Sequence, residues 1–243
     1  MKTTSSVQDL LKAASGRYFA EPRGRWIFRG HSKASYKLVP SVGRAKHTAK
    51  SRDRYEESLF NIFCREAKAL MSVTPMNDWE WLSLAQHHGL PTRMLDWTYN
   101  PLVALYFAVE ADEDSDGKLY ALRATRKTSD RLVPSSPFKI DKPVKLFPNI
   151  ISPRIRAQEG VFVVCERVES PLDEVLPTGW VVEEHLVPSA KKADLRYELF
   201  RLGVHASSLF PDLDGLSARL KWQHQVSPQT ALSGSNTETN PSA

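Results

Sequence analysis

Apolar positions along the chain switch between two periods. Around residue 26 they alternate: Trp26 and Phe28 fall on one side, Ile27 and Arg29 on the other, as in a strand that ends at Gly30. Over residues 51–71 they recur at helical spacing. Tyr55, Leu59, Ile62, Phe63, Ala67 and Leu70 form one stripe, which predicts an amphipathic helix. A second helix is predicted over 78–88, with Trp81, Leu82 and Ala85 inward and Gly89 as its stop. Asn100-Pro101 supply a cap and a first-turn proline for a third, 102–109, which is apolar nearly all round and so should be buried. Ser5 or Ser6 caps a short helix over 7–14, and residues 36–39 read as a short strand stopped at Pro40.

The second half is richer in strands. Residues 118–124, 145–147, 161–165 and 180–184 are short apolar or alternating runs between Gly and Pro breakers. Leu195, Leu199 and Leu202 space a helix that stops at Gly203, and 213–222 reads as another. From residue 227 onward Ser, Thr, Asn, Gln and Pro dominate, which predicts a disordered tail. With no linker and no repeat, the pattern predicts an N-terminal helix over 1–19, a single α+β domain over 20–223 and a tail over 224–243.

Composition changes this picture little. Hydrophobic residues at 41% and charged residues at 25% are ordinary for a globular domain, and a chain of 243 residues can bury a core without covalent staples. The two cysteines, Cys64 and Cys165, sit in apolar runs, so no disulfide framework is implied and Cys64 reads as inert core. A reducing cytoplasm fits this usage, and Lys2 is followed by Thr, Ser and Gln rather than by an apolar leader. The longest apolar run, 102–109, is too short to span a bilayer, so no membrane partner is expected. The net charge of +5 permits an anionic partner such as nucleic acid or a dinucleotide, although charges this scattered also read as a mixed solvated surface.

The sequence has no Gly-rich phosphate loop, no Cys-x-x-Cys pair and no His-Glu-x-x-His helix; His87 and His88 diverge by about 100° on a helix, so no metal site is read. Three stretches do carry chemistry. Arg29 closes a strand on the side of Ile27, partly inside the protein, and a buried arginine needs an anion. Two readings stay open: an internal carboxylate (Glu57, Glu66 or Asp96), or a ligand phosphate or ribose held by the planar fork of donors. Gly30 would let that ligand approach the backbone. The second stretch, 86–97, packs Gln86, His87, His88, Thr92, Arg93 and Asp96 into a connection between two apolar helices, where sites concentrate. Arg93 and Asp96 either brace that connection as a pair or face a ligand, and Trp97 is either core or a stacking platform. The third, 154–162, sets Arg154, Arg156, Gln158 and Glu159 before an apolar strand. A glutamate there orients a ribose hydroxyl or stabilises a developing cation, or belongs to a charged surface junction.

These stretches, in this order, resemble the FRG domain family, named for its Phe-Arg-Gly motif. The resemblance rests on Trp26-Ile27-Phe28-Arg29-Gly30-His31, on the run from Ala85 to Thr98 continued by Asn100 to Ala108, on Arg154 to Phe162, and on Ser208 to Leu216; it covers 20–222. A more distant resemblance is to ADP-ribosyltransferases, which place an aromatic-Arg-Gly strand end, a Ser/Thr-centred strand leading into a helix, and a glutamate at a later strand in the same order. Thr92-Arg93 stands where those enzymes have Ser-Thr-Ser, and Gln158-Glu159 where they have Glu-x-Glu or Gln-x-Glu. The resemblance implies a split, mainly antiparallel sheet flanked by helices, with NAD bound as substrate in a cleft. It implies Arg29 on the cofactor's phosphate or ribose, Thr92 and the Gly30 backbone on the nicotinamide side, Trp97 or His87 stacking, and Glu159 or Gln158 orienting the ribose. Phe28, Arg93 and Asp96 complete the implied binding set. The implied protein is a bacterial transferase acting as a toxin or phage-defence effector, with a nucleic acid or protein acceptor. The alternative is a non-catalytic module that binds a nucleotide or nucleic acid.

Overall fold

The computed structural model describes residues 2–22, 25–124, 135–148 and 152–225. In chain order the elements are β1 (Lys2–Thr3), α1 (Val7–Ala13, extended by a π-helical turn Ala14–Tyr18), β2 (Trp26–His31), α2 (Ser41–Arg44), α3 (Arg52–Ala67), α4 (Asp78–His87), β3 (Met94–Thr98), α5 (Pro101–Val109), β4 (Gly117–Arg123), β5 (Val144–Leu146), α6 (Pro153–Ala157), β6 (Gly160–Val164), β7 (Val181–Val187), α7 (Ser189–Arg201), α8 (Ala206–Leu209) and α9 (Leu213–Gln225). The strands form a seven-stranded sheet in the order β1-β7-β4-β2-β3-β6-β5, antiparallel except where β1 lies beside β7. This is the α+β class expected from the patterning.

The sheet is nearly two sheets. β2 and β4 share six residue pairs and β3 and β6 share five, but β2 and β3 share a single one, Phe28 opposite Thr98. Each half carries its own helical layer on one face. Trp26, Phe28, Leu119 and Ala121 pack under α1, α5 and α7, whereas Met94, Phe162 and Val164 pack under α3 and α4. Ile27, Leu95, Trp97, Tyr120, Val161 and Val163 share a continuous core on the other face. One face therefore binds the halves together while the other leaves a gap between two helical layers.

The local signals account for most elements. Ser6 caps α1 with a reciprocal Asp9 contact, Asn77 caps α4, and Asn100 caps α5 with Pro101 in the first turn. Gly89 and Gly203 follow α4 and α7 with φ of 81° each, a left-handed conformation that glycine adopts without strain. Gly30 is glycine for a packing reason. A Cβ there would stand 1.9 Å from the Ala104 carbonyl oxygen and 2.6 Å from the Ala108 nitrogen, so its bareness admits α5 rather than a ligand.

Three expectations are corrected. Residues 36–39 form no strand; Leu38 is buried but Tyr36 and Lys37 face solvent, and the Tyr36 carbonyl takes side-chain hydrogen bonds instead of ladder bonds. The buried face of α3 is turned by about one residue from the apolar stripe. Glu56, Phe60 and Ala67 are buried, while Ile62 and Leu70 are exposed, because Arg93 neutralises Glu56 inside. The run 94–98 is not a connection but the strand β3. The expected tail lies, beyond residue 225, outside the described residues. Both cysteines are free, and burial pushes the Cys64 thiol up to about 11 and that of Cys165 up to about 12, so neither is an ionised nucleophile at neutral pH. Among the described residues no helix is long and apolar enough to cross a membrane.

Candidate functional site

A cleft of about 220 Å³ opens where the sheet parts. Its floor is Phe28 to Gly30 of β2 and Asp96 to Thr98 of β3; its walls come from Gln86 and His87 of α4, Val103, Ala104 and Phe107 of α5, and Arg154, Ile155 and Gln158 around α6, with Gly160 and Phe162 of β6. The cleft thus lies between the two helical layers, over the single bridge that joins the half-sheets.

Arg29 spans the gap. Nη1 donates to the main-chain oxygen of Asp96 and lies 3.7 Å from its carboxylate, and Nε donates to Nε2 of His31 at 2.9 Å. No hydrogen bond engages Nη2 among the described residues, and the side chain is 19% exposed, so part of its donor fork faces the cleft. Because the Tyr36 carbonyl accepts from Nδ1 of His31, the Nε2 that faces Arg29 carries a lone pair; the ring is the neutral Nδ1–H tautomer. Burial, helped by the Arg29 charge, pushes His31 down to about 3 and keeps it neutral. Burial also lowers the proton affinity of Arg29, with Asp96 opposing that effect.

Asp96 is held from the other side. Nε2 of Gln86 donates to its Oδ2 at 3.0 Å, and the Thr92 hydroxyl donates to Oε1 of Gln86. Thr92 is itself fixed: Ser41 Oγ accepts from its amide, and its Oγ1 accepts from the Met94 amide. A polar chain therefore runs Thr92, Gln86, Asp96, Arg29, His31, Tyr36 across the parting of the strands. Of the two readings of Arg29, the internal carboxylate is Asp96, yet the Asp96 side chain is 59% exposed and its pairing leaves donors over.

The remaining candidates divide. Phe28, Arg29, Gly30, His87, Asp96, Trp97 and Gln158 line the cleft; Thr92, Arg93 and Glu159 do not. Thr92 is fully buried and acts through Gln86. Arg93 does not pair with Asp96. It turns away into a buried bidentate contact with Glu56, Nη2 to Oε2 at 2.7 Å, with Asp53 at 3.8 Å and the Phe138 ring against its guanidinium. Trp97 alternates with Asp96 onto the opposite face of β3, where its indole packs as core and offers no stacking platform. Glu159 adopts a left-handed φ of 46° and accepts from Asn100 Nδ2 at 3.3 Å, so the carboxylate lining the cleft is Asp96 instead. Gln158 reaches the cleft while Nε2 donates to the Leu209 carbonyl. His87 lies 3.4 Å from Ser152 Oγ, and burial followed by the charges of His88 and Arg154 lowers its pKa.

Sequence reasoning named Gln86 and Arg154 within polar stretches, and His31 only at the end of the Trp26–His31 motif, and gave none of the three a role in the site. Arg154 stands in the first turn of the short helix that Gln158 caps, four residues on. Its guanidinium rests 4.3 Å from the centre of the Phe210 ring. Among the described residues no three of His, Cys, Asp and Glu converge to hold a metal ion. Residues 24–117 match the family model described as FRG domain, a segment that contains β2 to α5 and the polar chain. No curated protein and no solved structure matches the chain.

Proposed function

We propose, from the premise that the chain is a member of the FRG domain family through residues 24–117, that the cleft is a nucleotide-binding site and that NAD is the first ligand to test. The observation that carries this reading is Arg29, whose Nε and Nη1 are committed to His31 and Asp96 while Nη2 has no partner among the described residues. A guanidinium so braced offers a preset donor edge to a phosphate or a ribose oxygen. Arg154, on the opposite wall, supplies a second cation. Val103, Phe107, Ile155 and Phe162 make an apolar surface that suits the face of a base or a nicotinamide. The enclosed volume is below the roughly 300–1,000 Å³ of most small-molecule sites, so it suits one ring with its ribose, the rest of a dinucleotide lying across the mouth.

A second reading is ADP-ribosyl transfer, in the manner of a toxin or phage-defence effector. The split sheet and the carboxylate of Asp96 beside Arg29 favour it. Breaking the bond from nicotinamide nitrogen to ribose leaves the electron pair on nicotinamide and positive charge on the ribose, which a nearby carboxylate stabilises. Gln158 would orient the ribose, and Glu159 would take part only after leaving Asn100.

Isothermal titration with NAD, ADP-ribose and ATP, followed by chromatography for free nicotinamide, separates the readings. Binding of NAD that weakens about tenfold or more in Arg29→Lys, the loss of one or two charge-assisted bonds, is the expected outcome. Binding without nicotinamide release leaves the non-catalytic module as the function. An absence of heat with all three nucleotides refutes the nucleotide site.

A further inference from the structure

The positive charge is not evenly spread. The first 54 residues hold thirteen Lys and Arg against three Asp and Glu, a net +10; the whole chain is +5, so the remainder is −5. Some of these cations are matched by carboxylates from distant parts of the chain: Lys2 and Arg17 meet Glu183, and Lys33 meets Asp112. The connection 32–51 and the first turn of α3 behave differently. Lys37, Arg44, Lys46, Lys50 and Arg54 are exposed, and none has an acidic partner among the described residues. Two acidic residues beside them are already engaged. Glu169 meets Nη2 of Arg52 at 3.1 Å, and Asp53 turns to Arg93 at 3.8 Å.

The segment is also built rather than loose. The Arg52 guanidinium donates to the carbonyls of Val42 and Ala45, the His47 ring stacks on Tyr55 with planes 16° apart, and Nε of Arg44 donates to the Val39 carbonyl. The last of these bonds fixes the Arg44 side chain against Val39, and the Tyr36 residue is half exposed, with Lys33 Nζ 5.8 Å from the centre of its ring. The segment joins the polar chain at one point, where the Tyr36 carbonyl accepts from Nδ1 of His31 at 3.2 Å.

We propose that the segment 36–54 is a binding surface for single-stranded nucleic acid, with Lys37, Arg44, Lys46, Lys50 and Arg54 on the phosphates and Tyr36 under a base. Unpaired cations at intervals along an ordered segment match a repeating anionic backbone, and an exposed ring accepts any base by stacking. The inference does not depend on the ligand of the cleft, because nucleotide binding reads Arg29 and strand binding reads Lys46 and Lys50.

The test is fluorescence anisotropy of the full chain with fluorescein-labelled single-stranded DNA and RNA 20-mers and a matched duplex, at salt from about 50 to about 200 mM. Single strands should bind more tightly than the duplex. Affinity should fall with salt by about 0.7 log unit per log unit for each phosphate contact. Lys46→Glu/Lys50→Glu should weaken binding by about tenfold or more, with the melting temperature and the titration of the cleft unchanged. Lys12→Glu/Lys221→Glu, on α1 and α9, makes the same change of net charge and should leave binding nearly intact. The proposal is overturned by no single-strand binding at the lowest salt, by preference for the duplex, or by equal effects of the two double variants. Binding to phosphatidylcholine vesicles with about a third phosphatidylserine but not to oligonucleotides also overturns it, in favour of a membrane surface.

Discussion

His31 stays neutral first because burial penalises the charged ring, and second because a proton on Nε2 would meet the Arg29 Nε–H that it now accepts from. The unfolded chain takes up that proton near the ordinary histidine pKa of 6.5, whereas the folded protein refuses it until about 3. A depressed folded-state pKa on a base means that the unfolded state binds more protons in this window. Stability complete above about pH 6.5 is therefore lost as pH falls toward 3, by at most about 1.4 kcal/mol per pH unit. His87, His185 and His205 are lowered by burial in the same direction, so the contribution of His31 is read as a difference. Urea melts of wild type and His31→Asn at several pH values should show a shallower acid limb in the variant; parallel limbs would refute the assignment. Arg29 carries the matching prediction for function, the loss of nucleotide affinity in Arg29→Lys. That side chain could be picked out in the sequence by its place at a strand end. Its division between a structural edge and a free edge could not, since Asp96 lies 67 residues along the chain.

Two contacts between elements carry predictions about stability. Gly30 lets α5 lie against β2, and Gly30→Ala would drive a methyl into the Ala104 carbonyl, a backbone atom that cannot step aside. A loss of about 3 kcal/mol is expected, seen as a lowered urea midpoint. A normal midpoint with lost ligand binding would return Gly30 to the role of ligand contact. The Arg93–Glu56 pair ties β3 to α3 in the interior, where burial raises the Glu56 pKa against the pull of Arg93. Arg93→Ala strands a buried carboxylate and should destabilise by about 3–5 kcal/mol, whereas Arg93→Met/Glu56→Met removes both charges and should recover most of that. Equal losses in the single and double variants would show that the pair itself, not the stranded charge, sets the penalty. This pair also explains why the buried face of α3 is turned by about one residue from its apolar stripe, although Ala67 of that stripe is buried and Phe63 packs against the core: a charged residue occupies a buried position that the pattern reserves for an apolar one. β3 escaped notice for a related reason. At five residues, with Asp96 in its middle and Gln86, His87, His88 and Thr92 just before it, it offers too little alternation to outweigh its polar surroundings.

Across the molecule, the half-sheets share a core on one face and part on the other, and the polar chain from Thr92 to Tyr36 runs through the parting. Capping, glycine stops and strand alternation were legible in the sequence because each depends on residues within one or two turns of the chain: Asn100-Pro101 starts a helix wherever the chain goes, and Gly203 ends one. The motif stretches were legible as well, since a polar run between apolar elements stands out without any fold. Their roles were not. Thr92, Arg93 and Glu159 are close in type and position to residues that do face the cleft, but Thr92 acts through Gln86, Arg93 pairs with Glu56, and Glu159 is turned to Asn100. The direction of a side chain follows from which face of which strand packs on which helix, and that is settled by contacts dozens of residues apart. Local chemistry along the chain named the elements and the candidate residues; the pairing of β2 with β3 at one point chose which of those residues meet in a cleft.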